Sequence, residues 1–108
     1  MAYKIIIQPQ AEADVEFIYG YVAAFSLISA RKWRMGVFSS IASLSVMPNR
    51  YSLILESEDF EYEIRHLLYG RNTSCYRIIY HVVEEDKEVR ILTIRHASRQ
   101  PLDIEDLE

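Results

Sequence analysis

A chain of 108 residues, half of them apolar, 12% aromatic and 26% charged, suits one compact domain with a single core and leaves no room for a second domain. This composition excludes a disordered chain, and a net charge of −4 argues against a bulk nucleic-acid binder, whose footprint is a basic domain. No apolar run nears the roughly 18–20 residues of a membrane span, and residues 1–10 lack the parts of a signal peptide, so a cytoplasmic protein is expected.

In chain order, Tyr3 to Ile7 is short and β-branched and stops at Gln8-Pro9, which predicts a strand delivering the chain into a helix with Pro9 in its first turn. Ala11, Val15, Ile18, Val22 and Phe25 then recur at steps of four and three, one face of a first helix. Glu12, Asp14 and Glu16 suit its positive end. Residues 26–29 interrupt the pattern; Ala30, Trp33, Val37, Ile41 and Leu44 restore it until Pro48-Asn49. So short a connection predicts two antiparallel helices. Gly20 and Gly36 each cost a helix about 1 kcal/mol against Ala, and close helix packing would explain them.

Residues 49–61 show no period and read as an acidic loop, with a short strand at residues 52–55. Three strands follow, at residues 62–68, 76–83 and 89–96, with turns at 70–74 and 84–87. Short links make them antiparallel neighbours. The predicted fold class is therefore α+β: an N-terminal strand, a two-helix antiparallel hairpin and a three-stranded antiparallel meander, in one domain over residues 1–108 with an acidic tail at 103–108. Alternation places Ile64, Leu68, Ile78, Val82, Leu92 and Ile94 toward the helices. The other face, expected to be open, then carries Glu63, Arg65, Arg77, Ile79, His81, Thr93 and Arg95.

Charge is unevenly spread. Glu56, Glu58, Asp59, Glu61 and Glu63 crowd one stretch and Asp103, Glu105, Asp106 and Glu108 fill the tail, with a basic segment from Ile64 to Leu102 between them. The hairpin from Tyr76 to Pro101 ends in Arg95, His96 and Arg99, which reads as an RNA-handling face or a docking face. His66 and His81 have no Cys or His partner at a ligand spacing, so no metal is predicted. Cys75 stands alone, cannot close an intrachain disulfide, and as a nucleophile would need a paired base. No glycine-rich phosphate loop occurs, and no cofactor is expected.

The order strand, helix, helix and three strands, with YRIIY on the penultimate strand, IRHASRQP closing the last and PQAEADVEFIYGYV opening the first helix, resembles the RelE/ParE toxin superfamily, closer to its ParE-like branch. The resemblance covers nearly the whole chain. It implies a toxin of a type II toxin–antitoxin module with a cognate antitoxin protein as partner. It also implies a target: DNA gyrase in the ParE-like branch, or the ribosome and its mRNA in the RelE-like branch, whose members are endoribonucleases.

Ribonuclease chemistry of this kind needs a base for the 2'-hydroxyl, cations against the phosphorane charge and an acid for the leaving oxygen. The resemblance puts Arg77 on the family's Tyr-Arg strand and Arg65 where RelE-like members carry a lysine, but Glu63 stands where another lysine is expected and no tyrosine follows Tyr80. His96 alone remains for proton transfer. No catalytic residue is therefore assigned; the ribonuclease alternative would use Arg65, Arg77 and His96. The preferred reading puts Arg77, Arg95, His96 and Arg99 on a target-binding face. His96 also reads as a strand-end cap, and Arg77 as an ion-pair partner of Glu63 or Glu61. Trp33 and Arg34 are the candidate antitoxin contacts, with core as the alternative place for Trp33.

Overall fold

The computed structural model describes residues 2–98. Strand β1 (Lys4–Ile7) enters helix α1 (Pro9–Ala23), whose first turn holds Pro9 where a backbone N–H is not needed. Helix α2 (Leu27–Ser43) starts on Ser26, whose Oγ accepts the Ser29 N–H at 3.1 Å, an N-cap that lengthens the helix beyond the periodic run seen in the sequence. Strands β2 (Arg65–Tyr69), β3 (Tyr76–Val83) and β4 (Glu88–His96) form the expected antiparallel meander. β1 closes the sheet by pairing parallel with β4, giving the order β1-β4-β3-β2.

The helices cover one side of this sheet. Ala11, Val15 and Ile18 of α1 and Trp33, Val37 and Ile41 of α2 pack on Leu67, Ile78, Tyr80, Val89, Ile91 and Ile94. Full burial of each large aliphatic side chain stabilises by about 1.5–3 kcal/mol. Tyr80 is wholly buried and donates its hydroxyl hydrogen bond to the Pro48 carbonyl; burial pushes its pKa up to about 12. Phe25 departs from the periodic face: α1 ends at Ala23, and Phe25 lies 79% exposed.

Two register details correct the predicted faces. β2 pairs Leu67 with Ile78 and Arg65 with Tyr80, so its odd residues face the helices; Ile64 and Leu68 face away. In β4 a bulge between the pairs Ile79–Thr93 and Tyr80–Ile91 leaves Leu92 as the extra residue. Val89, Ile91 and Ile94 therefore share the helix side at steps of two and three, while Leu92 packs with the far cluster.

The far side is not bare. Ile54, Ile64 and Ile79 form a second, smaller core with Phe60 and Leu92, built by residues 52–60 folding back over the sheet. In place of the expected strand at residues 52–55 there is a single bridge, Leu53 to Arg65, followed by the 3-10 turn Leu55–Asp59. Its anchors are the Ile54 N–H to the Ile64 carbonyl at 2.9 Å and the Ile64 N–H to Ser57 Oγ at 3.0 Å. Apolar residues thus occur on both parities of β2, which is why alternation misled there.

Candidate functional site

Arg77 sits on β3 facing away from the helices, at the floor of a depression of about 600 Å³ lined by Leu53, Leu55, Glu56, His66, Leu68 and Ala97. Its guanidinium is already engaged. Nη2 donates to Glu56 Oε1 at 3.2 Å, Nη1 to Oε2 at 3.4 Å, and Nε to His66 Nδ1 at 3.3 Å. The partner is Glu56 of the fold-back loop, not the Glu61 or Glu63 that the sequence suggested. Both side chains are nearly sealed, at 12% and 11% exposure. At that burial, removing one partner strands the other, at a cost of about 3–5 kcal/mol.

His66 belongs to the same cluster. Because Nδ1 accepts from Arg77, the neutral ring is favoured, and its pKa falls below the ordinary histidine value through desolvation first and the Arg77 charge second, with Glu56 opposing. Sequence spacing drew attention to His66 only as a metal ligand, and among the described residues no cluster of three His, Cys, Asp or Glu could hold an ion. The one signal that could have found it is its parity on β2, which puts it on the face of Arg77 and diagonal to it, and that needs the Leu68–Arg77 register.

The other predicted residues disperse. Arg95 is the cross-strand partner of Arg77, so the two stand side by side on the same sheet, and Arg95 is 6% exposed at the edge of a second depression that opens toward α1. Arg65 lies on the helix-facing parity, where Nη1 donates to the Tyr51 carbonyl at 2.6 Å, and is not beside Arg77. His96 pairs across from Tyr76 on the opposite parity to Arg77 and stacks edge-on against that ring at 5.2 Å. The Ser98 N–H donates to His96 Nδ1 at 3.1 Å, so Nε2 carries the proton that it donates to the Thr73 carbonyl. Both ring nitrogens are thus used to close the strand end. Arg99 and the acidic tail lie outside the described residues.

A sequence model described as ParE toxin of type II toxin-antitoxin system, parDE, matches residues 5–101. The chain belongs to the ParE toxin family. Solved structures agree in fold: a chain of the chromosomal ParDE toxin–antitoxin system of P. aeruginosa is 23% identical with a TM-score of 0.67, over 88% of this chain and 96% of that one. A free mutant form of E. coli toxin RelE is 15% identical at a TM-score of 0.60, over 91% and 86%. A chain of the RelBE2 toxin–antitoxin complex of Mycobacterium tuberculosis is 19% identical at 0.53, over 92% and 95%. No curated protein matches by sequence. The α+β fold is therefore that of RelE/ParE-like toxins.

On the helical side of this ParE-family toxin, Trp33 is 9% exposed and packs edge-on to Tyr76 at 5.4 Å within the core. Arg34 does reach solvent, where its Nη2 meets Glu16 Oε1 at 2.7 Å and its guanidinium lies over Tyr19. One exposed apolar stripe runs along α1 and just beyond it: Phe17, Tyr21 and Phe25 recur four apart at 78%, 63% and 79% exposure, with Ile28 following at 70%. Phe17 and Tyr21 also border the depression that holds Arg95 and His96. No helix among the described residues is long and apolar enough to cross a membrane.

Proposed function

We propose that this toxin acts in the cytoplasm by binding a protein target, DNA gyrase, and is held silent in an oligomer with a cognate antitoxin. The observation that carries the reading is the dispersal of the ribonuclease inventory: Arg65, Arg77 and His96 are each satisfied by other groups of the chain, in separate places. A phosphorane intermediate needs those cations converging on one point. The net charge of −4 also suits a protein target better than a ribosomal RNA cleft. For the antitoxin, the support is the Phe17, Tyr21 and Phe25 stripe, which an amphipathic partner helix would cover.

One observation favours the alternative, a RelE-like ribosome-dependent endoribonuclease. Neutral His66 touches Arg77, which puts a proton-accepting group beside a cation. Two assays separate the readings. With purified gyrase, the toxin inhibits supercoiling, an added antitoxin relieves it, and Arg77→Ala weakens inhibition by about tenfold, a loss of about 1.4 kcal/mol. In a translation extract, message cleavage that vanishes in both Arg77→Ala and His66→Ala, with gyrase untouched, would replace the first reading by the second.

A further inference from the structure

The depression over Arg77 has an unusual rim. Leu53, Leu55 and Leu68 stand around it at 41%, 94% and 56% exposure, while the charged pair at its centre is sealed. A soluble surface gains nothing by wetting three leucines around a dry ion pair; a surface that a partner covers does. A central arginine ringed by apolar contacts that exclude water is the anatomy of a binding hot spot. Glu56 spans both Nη atoms and His66 takes the Nε donor, and the Arg77 side chain is left only 12% exposed. A carboxylate that is to span the same two Nη atoms must therefore replace Glu56.

Glu56 is placed so that it can leave. It lies between two anchors of the fold-back loop, Ile54 and Ser57, each buried and each bonded to Ile64. Rotation of its side chain away from Arg77 would leave both anchors holding the backbone. We propose that Glu56 is an internal mask, whose carboxylate occupies the place on Arg77 that an acidic side chain of a protein target takes, flanked by apolar residues that cover Leu53, Leu55 and Leu68. Engagement is then an exchange of one carboxylate for another, and the partner is a protein segment with an acid set among apolar residues. This rests on the proposed role of Arg77 in target binding, but not on the target being gyrase.

Arginine-selective labelling with phenylglyoxal, read residue by residue by mass spectrometry, tests the mask on the full chain. Glu56→Gln is expected to speed labelling of Arg77 by about tenfold or more, while the more exposed Arg90 keeps its rate. Glu56→Asp, which keeps the charge and withdraws it by one methylene, should fall between the two. Equal Arg77 rates in parent and both variants overturn the mask, and so does acceleration of Arg90 alongside Arg77. Growth arrest under titrated induction tests the exchange without naming a target: Glu56→Gln should arrest growth at lower induction than the parent, and Glu56→Gln combined with Arg77→Ala at no lower induction than Arg77→Ala alone. A Glu56→Gln variant with freed Arg77 and unchanged or weaker arrest overturns the exchange. Stronger arrest without any inhibition of purified gyrase supports the exchange and sinks only the gyrase reading.

Discussion

Asp14 of α1 accepts the backbone N–H of Ile94 at 3.0 Å and the hydroxyl hydrogen of Thr93, so a helix carboxylate caps the part of β4 that β1 does not reach. β1 pairs only with Glu88 to Ile91, and the bulge at Leu92 turns the remaining strand toward α1. An unpaired N–H in the middle of a half-buried strand needs a partner, and an ionised acceptor supplies about 1.5–3 kcal/mol. Asp14→Ala should therefore lower unfolding stability by about 2–3 kcal/mol, and Asp14→Asn by less, because the amide oxygen still accepts one hydrogen bond. Chemical denaturation checks this. An alanine variant within about 0.5 kcal/mol of the parent would mean that water serves the edge equally well.

The two helical glycines should respond with opposite signs. A methyl group built on Gly20 meets nothing within 4 Å, so Gly20→Ala should stabilise by about 0.5–1 kcal/mol through helix propensity. On Gly36 the same methyl group would overlap the ring and hydroxyl of Tyr69, which reaches across from β2. Gly36→Ala should therefore destabilise by about 1–3 kcal/mol. In a Tyr69→Leu background, which withdraws the hydroxyl end, the Gly36→Ala change should become neutral or stabilising. Thermal melts of the four proteins read that reversal directly.

How much of this was legible in the sequence follows from what fixes each feature. The helices were legible because Ala11, Val15 and Ile18, and Ala30, Trp33, Val37 and Ile41, carry a local period that their burial repeats. The meander was legible from its short turns. Faces were less so, because the bulge at Leu92 shifts parity by one and residues 52–60 bury the second side of β2, neither of which is written in alternation. The candidate site was legible in Arg77 and not in its neighbours. Glu56 and Arg77 meet only because Ile54 and Ser57 pin an aperiodic loop to Ile64, a contact that no local pattern announces. Trp33 was assignable either way until Tyr76 was seen against it.

Tyr80 links the core to the turn after α2. Its hydroxyl donates to the Pro48 carbonyl, so Tyr80→Phe leaves that acceptor without this partner and should destabilise by about 1–3 kcal/mol. Burial raises the phenol's pKa to about 12, so the folded state keeps its proton where the unfolded chain releases it. Stability from this group is complete below about pH 10 and declines as the pH rises from there toward 12. Ultraviolet titration should show a step near pH 12 that disappears in Tyr80→Phe, while the delayed ionisation of Tyr76, also raised by burial, remains.

His66 gives the acid side of the same linkage. Its pKa is lowered in the fold, by desolvation first and Arg77 second, so below the ordinary histidine range the unfolded chain binds a proton that the folded chain resists. The contribution is present above about pH 6.5 and is lost as the pH falls through the lowered value. Protonation also removes the lone pair that accepts Arg77 Nε and sets two cations against each other, leaving Glu56 to hold both. The stability difference between pH 8 and pH 5 should therefore shrink in His66→Gln, which retains an acceptor and does not titrate. Histidine ring resonances followed through the same range should show His66 titrating below the ordinary histidine range, and an ordinary midpoint for His66 would show that Arg77 does not lean on it.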